Sequence, residues 1–292
     1  MVVFDGAMGT LLYSRGIDFS HCFDALNLNQ PDLIRSLHRA YVQAGAQVIE
    51  TNTFGANRVK LEAHGFGDRV AEVNRRGVEI ARRAVRGRAF VAGSVGPLGI
   101  RIEPWGPTSE DEARDLFREQ IEALVEAGVE LLVLETFSDL PEIHAALRAA
   151  KEVAGLPVIA EMTVEEEGVS LEGVRPEWFA RKLDEWGADV IGVNCSVGPG
   201  ALLPVVETMA GVTERPLSAM PNAGNPRSIE GRNIYLCSPE YLATYARRFT
   251  QTGARVLGGC CGVSPEHVRA MHRALQAARP STRQREKTPV PL

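Results

Sequence analysis

The residues in this chain best suited to chemistry are three of its five cysteines: Cys195, which follows Asn194, and the adjacent pair within Gly258-Gly259-Cys260-Cys261-Gly262. A thiolate is both a nucleophile and a soft metal ligand. Catalytic zinc takes three protein ligands, with sulfur at about 2.3 Å, and leaves a fourth tetrahedral position for water or substrate. Cys195, Cys260 and Cys261 meet that count, and the flanking glycines are expected to relieve crowding around two adjacent ligands. Two other arrangements use the same residues: small thiols filling a core, since free cysteine is often buried, or a vicinal disulfide or redox pair, although no C-x-x-C spacing is present. A structural zinc site would want four ligands at closer spacing. Cys22 and Cys237 sit in loop contexts and read as structural. His21, His38, His64, His144, His267 and His272 fall in helices or loops, where surface or helix-packing roles are expected.

For cysteines so far apart in sequence to meet, the fold must bring two distant segments together. Short apolar runs alternate with amphipathic helical stretches along the whole chain, the pattern of α/β architecture with a parallel sheet. The expected strands are Val2-Asp5, Gln47-Thr53, Ala89-Val95, Leu131-Phe137, Pro157-Val164, Val190-Cys195, Pro216-Met220 and Arg255-Gly259. The expected helices are Asp32-Ala44, Val70-Arg86, Ser109-Ala127, Leu140-Val153, Pro176-Trp186, Leu202-Met209, Pro239-Gln251 and Pro265-Ala278, with apolar residues at three- and four-residue spacing. Gly45, Gly128, Gly187 and Gly253 stand where left-handed helix caps are expected, and Ser238-Pro239 and Ser264-Pro265 read as helix starts.

Eight such units without an evident edge strand predict a single (β/α)8 TIM barrel over residues 1–279, with a Pro-rich, charged linker at 280–292 leading to a further module. In a barrel, function lies at the C-terminal strand ends. The sixth and eighth strands are next-but-one neighbours around the ring, so Cys195 and the Cys260-Cys261 pair converge. The other ends carry Asp5-Gly6-Ala7-Met8-Gly9-Thr10, Glu50-Thr51-Asn52-Thr53-Phe54, Ser94, Glu135-Thr136, Glu161-Met162-Thr163 and Pro221-Asn222-Ala223-Gly224. No lysine directly follows a strand, which weighs against a lyase or aldolase handling a phosphorylated substrate. Ser94, Thr53 and Thr163 are expected to cap strand ends, Glu165-Glu166-Glu167 to form a solvated loop, and Trp105 to be either part of a lid or a packed loop anchor.

Bulk properties narrow the class. A formal charge of -5, from 32 Lys+Arg interspersed with 37 Asp+Glu, offers no basic stripe for phosphates, so no nucleic-acid partner is expected. No apolar run approaches the roughly 20 residues of a membrane span, and an acidic residue at Asp5 precludes a secretory h-region, so a cytoplasmic protein without membrane association is expected. Five cysteines, two adjacent, do not form the framework of a disulfide-rich secreted domain.

These strand ends resemble the homocysteine S-methyltransferase family through nearly the whole chain. Asn194-Cys195 and Gly258-Gly259-Cys260-Cys261-Gly262 resemble its ligand motifs, and Asp5-Gly6-Ala7-Met8-Gly9-Thr10 its amino-acid-binding opening loop. Glu50-Thr51-Asn52-Thr53-Phe54 and Pro221-Asn222-Ala223-Gly224 are more similar to the homocysteine module of methionine synthase than to the betaine or S-methylmethionine enzymes. The segment Asn222 to Arg248 also resembles bacterial proteins fused to a methylenetetrahydrofolate reductase-like domain. The resemblance implies Zn2+ on Cys195, Cys260 and Cys261, L-homocysteine activated as a thiolate, and methionine as product. It also implies a methyl donor, methylcobalamin or methyltetrahydrofolate, delivered by other modules. The substrate's carboxylate is expected at backbone N–H groups of Gly6-Ala7-Met8 and its ammonium at Glu135, with Asp5 and Glu50 in the same pocket and Asn222 filling the open metal position without substrate. The alternatives are a betaine- or S-methylmethionine-type donor, or a zinc-stabilised barrel without activity.

Overall fold

The computed structural model describes residues 1–229 and 232–277; residues 278–292, with the expected linker 280–292, lie outside the described residues. Its strands are β1 (Val2–Val3), β2 (Val48–Glu50), β3 (Phe90–Val95), β4 (Leu131–Phe137), β5 (Val158–Met162), β6 (Val190–Asn194), β7 (Leu217–Met220), β8 (Arg227–Ile229), β9 (Arg232–Ile234) and β10 (Ala254–Leu257). Eight of them pair in the order β1-β10-β7-β6-β5-β4-β3-β2, every pair parallel. A parallel bridge between Phe4 and Val48, with the Gln47 N–H donating to the Val3 carbonyl at 2.7 Å, joins the two ends of that order. The result is the expected (β/α)8 TIM barrel.

Eight longer helices cover the strands: α3 (Pro31–Ala44), α5 (Val70–Val85), α6 (Glu110–Glu126), α7 (Leu140–Val153), α8 (Pro176–Glu185), α9 (Pro199–Ala210), α10 (Pro239–Gln251) and α11 (Pro265–Ala277). Their apolar stripes face the outside of the barrel, where Ile121, Leu124, Ile143, Phe179 and Leu202 are fully buried. Gly45, Gly128, Gly187 and Gly253 all have φ between 87° and 106°, the left-handed cap expected of them. Ser109 and Glu112 form a reciprocal capping box at the start of α6, and Ser238 accepts from the Tyr241 N–H at the start of α10.

Sequence periodicity misses the short elements. Helices α1 (Gly9–Ser14), α2 (Leu26–Asn29) and α4 (Arg58–Glu62), and the antiparallel β8–β9 hairpin, all lie in the connections that follow β1, β2 and β7. They have too few residues for a period to register. Helix α9 begins three residues earlier than expected, because Pro199 occupies its first turn.

Alternation along the strands decides what fills the barrel. Phe4, Val48, Ala92, Val133, Ile159, Met220 and Val256 form an apolar layer inside it. Two residues further along β2, β3, β4 and β5, the same inward face carries Glu50, Ser94, Glu135 and Glu161. Gly192 on β6 makes room in this interior: a Cβ there would stand 1.7 Å from Ser218 Oγ. Gly192→Ala should therefore lower stability by about 1–3 kcal/mol through overpacking, read as a lower urea midpoint; an unchanged midpoint would refute the close approach.

Candidate metal centre

Cys195 follows directly on β6, and Cys260 and Cys261 follow β10 after two glycines. Only β7 separates those strands, so the three thiols meet at one side of the barrel mouth. Their sulfurs all lie within 4.8 Å of one another, and Cys195 Sγ is 3.8 Å from Cys261 Sγ. Two sulfurs bound at about 2.3 Å to a tetrahedral centre stand about 3.8 Å apart, whereas a disulfide needs about 2.05 Å. The three thiols are free and only half-buried, so they are neither core filling nor a vicinal disulfide.

The segment after β7 braces the cluster from between. Cys195 N–H donates to the Met220 carbonyl (3.1 Å), Cys260 N–H to Pro221 (2.9 Å), Asn222 N–H to Val197 (3.0 Å) and Ala223 N–H to Cys261 (2.9 Å). Asn222 is buried, and its Oδ1 has no hydrogen-bond partner. An orphaned amide oxygen in the segment that braces three thiols fits a cation-binding site, since burying an acceptor without a partner costs about 1–3 kcal/mol.

The glycines around the pair also admit close packing from other segments. Cβ atoms at Gly258 and Gly259 would strike Phe4 Cβ at 2.8 Å and Val263 Cγ1 at 2.4 Å, and one at Gly262 would strike Tyr235 Cβ at 2.4 Å. They let Phe4, Val263 and Tyr235 close on the cysteine loop. Gly262 also has φ +80°, a backbone that favours glycine. Hydrogen bonding by Cys195 and Cys260 holds the Cys261 thiol down to about 3, while the contact with Cys195, then that with Cys261, and burial push Cys260 well up.

Beside the thiols, four carboxylates share the interior. Asp5 and Glu161 are buried, and Glu50 and Glu135 are half-buried, so the first is no surface residue. Asp5 Oδ2 accepts from the Glu50 N–H at 3.1 Å, while Asp5 Oδ1, Glu50 Oε1 and Glu161 Oε2 have no partner. Desolvation raises Asp5 and Glu50 well above the carboxylate range and lifts Glu135 to about 7 and Glu161 to about 8. Among the expected carboxylate receptors, the Ala7 N–H is already committed to the Val263 carbonyl at 3.1 Å. The strand-end geometry ties that amide to the cysteine loop, so Ala7 has no free N–H to offer a ligand.

Several residues at the mouth escaped sequence reasoning. Ser94, expected only to cap a strand, donates its hydroxyl to Glu135 Oε1. Glu161, noted only as part of a strand end, accepts from Ser218 Oγ at 2.5 Å. Lys60 follows β2 at a distance, on α4, and its Nζ lies 4.6 Å from the centre of the Phe54 ring. His267 bridges Ser264 (2.9 Å) and the Cys237 carbonyl (2.8 Å), tying α11 to the segment after the hairpin. Trp105 is 65% exposed and so is not a packed anchor. The only sequence signal for Ser94 and Glu161 was their period-two relation to Ala92 and Ile159.

The sequence model of the family described as homocysteine S-methyltransferase matches residues 2–275. The chain belongs to the homocysteine S-methyltransferase family. It is 33% identical to the methionine synthase of Mycobacterium tuberculosis (strain ATCC 25618 / H37Rv) over 293 residues, covering 94% of this chain and 24% of that protein. The methionine synthase of Mycobacterium leprae (strain TN) gives the same identity and coverage. The chain thus spans about a quarter of the length of these curated relatives. Among solved structures, the metallated form of the Escherichia coli homocysteine methyltransferase MmuM is similar with a TM-score of 0.80 at 26% identity, covering 94% of this chain and 96% of that one. Family members thus include both a chain of this size and much longer ones.

The buried carboxylates give a pH signature. The unfolded chain releases the Glu161 proton near the ordinary carboxylate value, while the folded one keeps it until about 8, so stability falls as pH rises towards and through 8. His38, buried and held down to about 4 by desolvation, acts in the opposite sense but only below about pH 6.5. Between pH 6.5 and 8.5 the metal-free protein should lose on the order of 2 kcal/mol through Glu161, and Glu161→Gln should flatten that loss in urea titrations. Equal slopes for the two proteins would contradict it.

Proposed function

We propose that this barrel transfers a methyl group to the thiol of L-homocysteine, giving methionine, with Cys195, Cys260 and Cys261 holding a zinc ion. The observation that carries the reading is the placement of three thiols, at the spacing of tetrahedral thiolate ligands, beside partnerless carboxylate oxygens in the same mouth. Zinc held there supplies the Lewis acidity that keeps a substrate thiol ionised, where a free thiol of pKa near 8.5 is only about 3% thiolate at neutral pH.

The protein's own groups bind and orient the substrate. Glu135, with Ser94 on one oxygen and Asn194 on the other, receives the ammonium. Asp5 and Glu50, held protonated by burial in the empty pocket, ionise more readily once an ammonium enters, because it lowers the proton affinity of all three carboxyls. The N–H groups of Gly6 and Met8 receive the carboxylate, and Asn222 Oδ1, buried and without a partner, would be available to a bound metal in the absence of substrate. Half-burial of the cysteines leaves the reacting sulfur accessible from outside, where a methyl donor must approach.

Methylcobalamin or 5-methyltetrahydrofolate, presented by modules joined through residues 280–292 to the barrel of residues 1–279, is the donor in this reading. The longer relatives named methionine synthase support it. A second reading, direct use of a small donor of the betaine or S-methylmethionine type, is favoured by the likeness to an E. coli homocysteine methyltransferase of the same size. No helix among the described residues is long and apolar enough to cross a membrane, and five free thiols suit the reducing cytoplasm.

Zinc K-edge absorption of the purified protein should show three sulfurs and one light atom, changing to four sulfurs on addition of L-homocysteine. Cys195→Ala and Cys261→Ala should each lose stoichiometric zinc. Retention of full zinc by both variants would refute the ligand set, and a spectrum unmoved by homocysteine would refute the substrate.

A further inference from the structure

Asn194 ends β6 immediately before Cys195 and is only 1% exposed. Its side chain crosses over the end of β5 to β4. Oδ1 accepts the Thr136 N–H at 2.8 Å, while Nδ2 donates to Thr136 Oγ1 at 2.9 Å and reaches Glu135 Oε2 at 3.4 Å. The β4 segment it grips is irregular. Leu134 pairs with Ala160 and Phe137 with Met162, so Glu135 and Thr136 together oppose the single residue Glu161. Such a bulge re-aims side chains at the end of a strand.

Thr136 sits at φ +64°, and Cys195 and Ser196 at φ +61° and +53°. Non-glycine residues adopt this region rarely and persist there only when surrounding contacts over-determine it. One amide thus holds the bulged end of β4 to the left-handed end of β6. An amide is the side chain that can do this, because it accepts from an N–H and donates to a carboxylate at once.

We propose that Asn194 is a positioning residue that fixes the ammonium-receiving carboxylate of Glu135 relative to Cys195, and so sets the distance between the amine end and the sulfur end of the substrate site. This rests on the homocysteine reading above. Replacing the amide by a carboxylate keeps shape and the bond from Thr136 N–H but loses both donated hydrogen bonds, and it places a second acceptor against Glu135. The ammonium should then be held less well while the metal ligands stay in place.

The test compares zinc-loaded wild type with Asn194→Asp by calorimetric titration, using L-homocysteine and 4-mercaptobutanoate, which keeps the thiol and carboxylate but lacks the amine. Zinc stoichiometry should be unchanged. Affinity for L-homocysteine should fall about ten- to a hundredfold, the loss expected for misplacing one charge-assisted contact, while affinity for 4-mercaptobutanoate changes less than about threefold by the same argument. Equal losses for both ligands, or no loss for either, would overturn the proposal. Should Asn194→Asp not fold, Thr136→Val, which removes only the hydroxyl acceptor of the amide, is read in the same way. Wild type that fails to bind L-homocysteine at all would instead overturn the functional reading.

Discussion

Closure of eight parallel strands into a ring is the constraint on which the rest of this structure depends. Parallel pairing sends every strand in the same direction, so the C-terminal ends gather at one mouth and every connection between them must return outside the barrel. A period of two along each strand then separates what faces the helices from what faces the axis. In the middle of the barrel that axis is filled by Phe4, Val48, Ala92, Val133, Ile159 and Val256. One pleat higher, the same face presents Glu50, Ser94, Glu135 and Glu161, and a dry core becomes a polar pocket within two residues.

This arrangement concentrates negative charge where water is scarce. Three thiols and four carboxyls gather at one end of the barrel, and the described residues place no cation in hydrogen-bond contact with Asp5 Oδ1, Glu50 Oε1 or Glu161 Oε2. Burial answers by keeping protons on the carboxyls, at a cost to stability as the solution becomes alkaline. A site tuned this way is poorly satisfied alone, because its carboxylate oxygens lack partners. The strained backbones at Thr136, Cys195 and Ser196 belong to the same region, since each lies at or just past the C-terminal end of β4 or β6.

The cysteine cluster is held by the backbone of its neighbours more than by its own side chains. Pro221, Asn222 and Ala223 connect to both cysteine segments, and Gly6, Gly258, Gly259 and Gly262 allow β1, Val263 and Tyr235 to lie against them. Glycine is needed in that loop for packing against Phe4, Val263 and Tyr235, contacts that its own sequence neighbourhood does not reveal.

The sequence by itself determined the barrel and the identity of the chemistry-bearing side chains. Hydrophobic period, helix caps at Gly45, Gly128, Gly187 and Gly253, and the polar residues at strand ends are local properties, and each is written in consecutive residues. The tertiary structure decided what those side chains do to one another. That the Ala7 amide is consumed by Val263, that Ser94 holds Glu135, that Glu161 lies buried against Ser218, and that Asn194 spans from β6 to β4 are relations between strands far apart in the chain. No periodicity encodes them, because hydrogen-bond partners and desolvation depend on the register and curvature of the closed ring, which no single segment specifies.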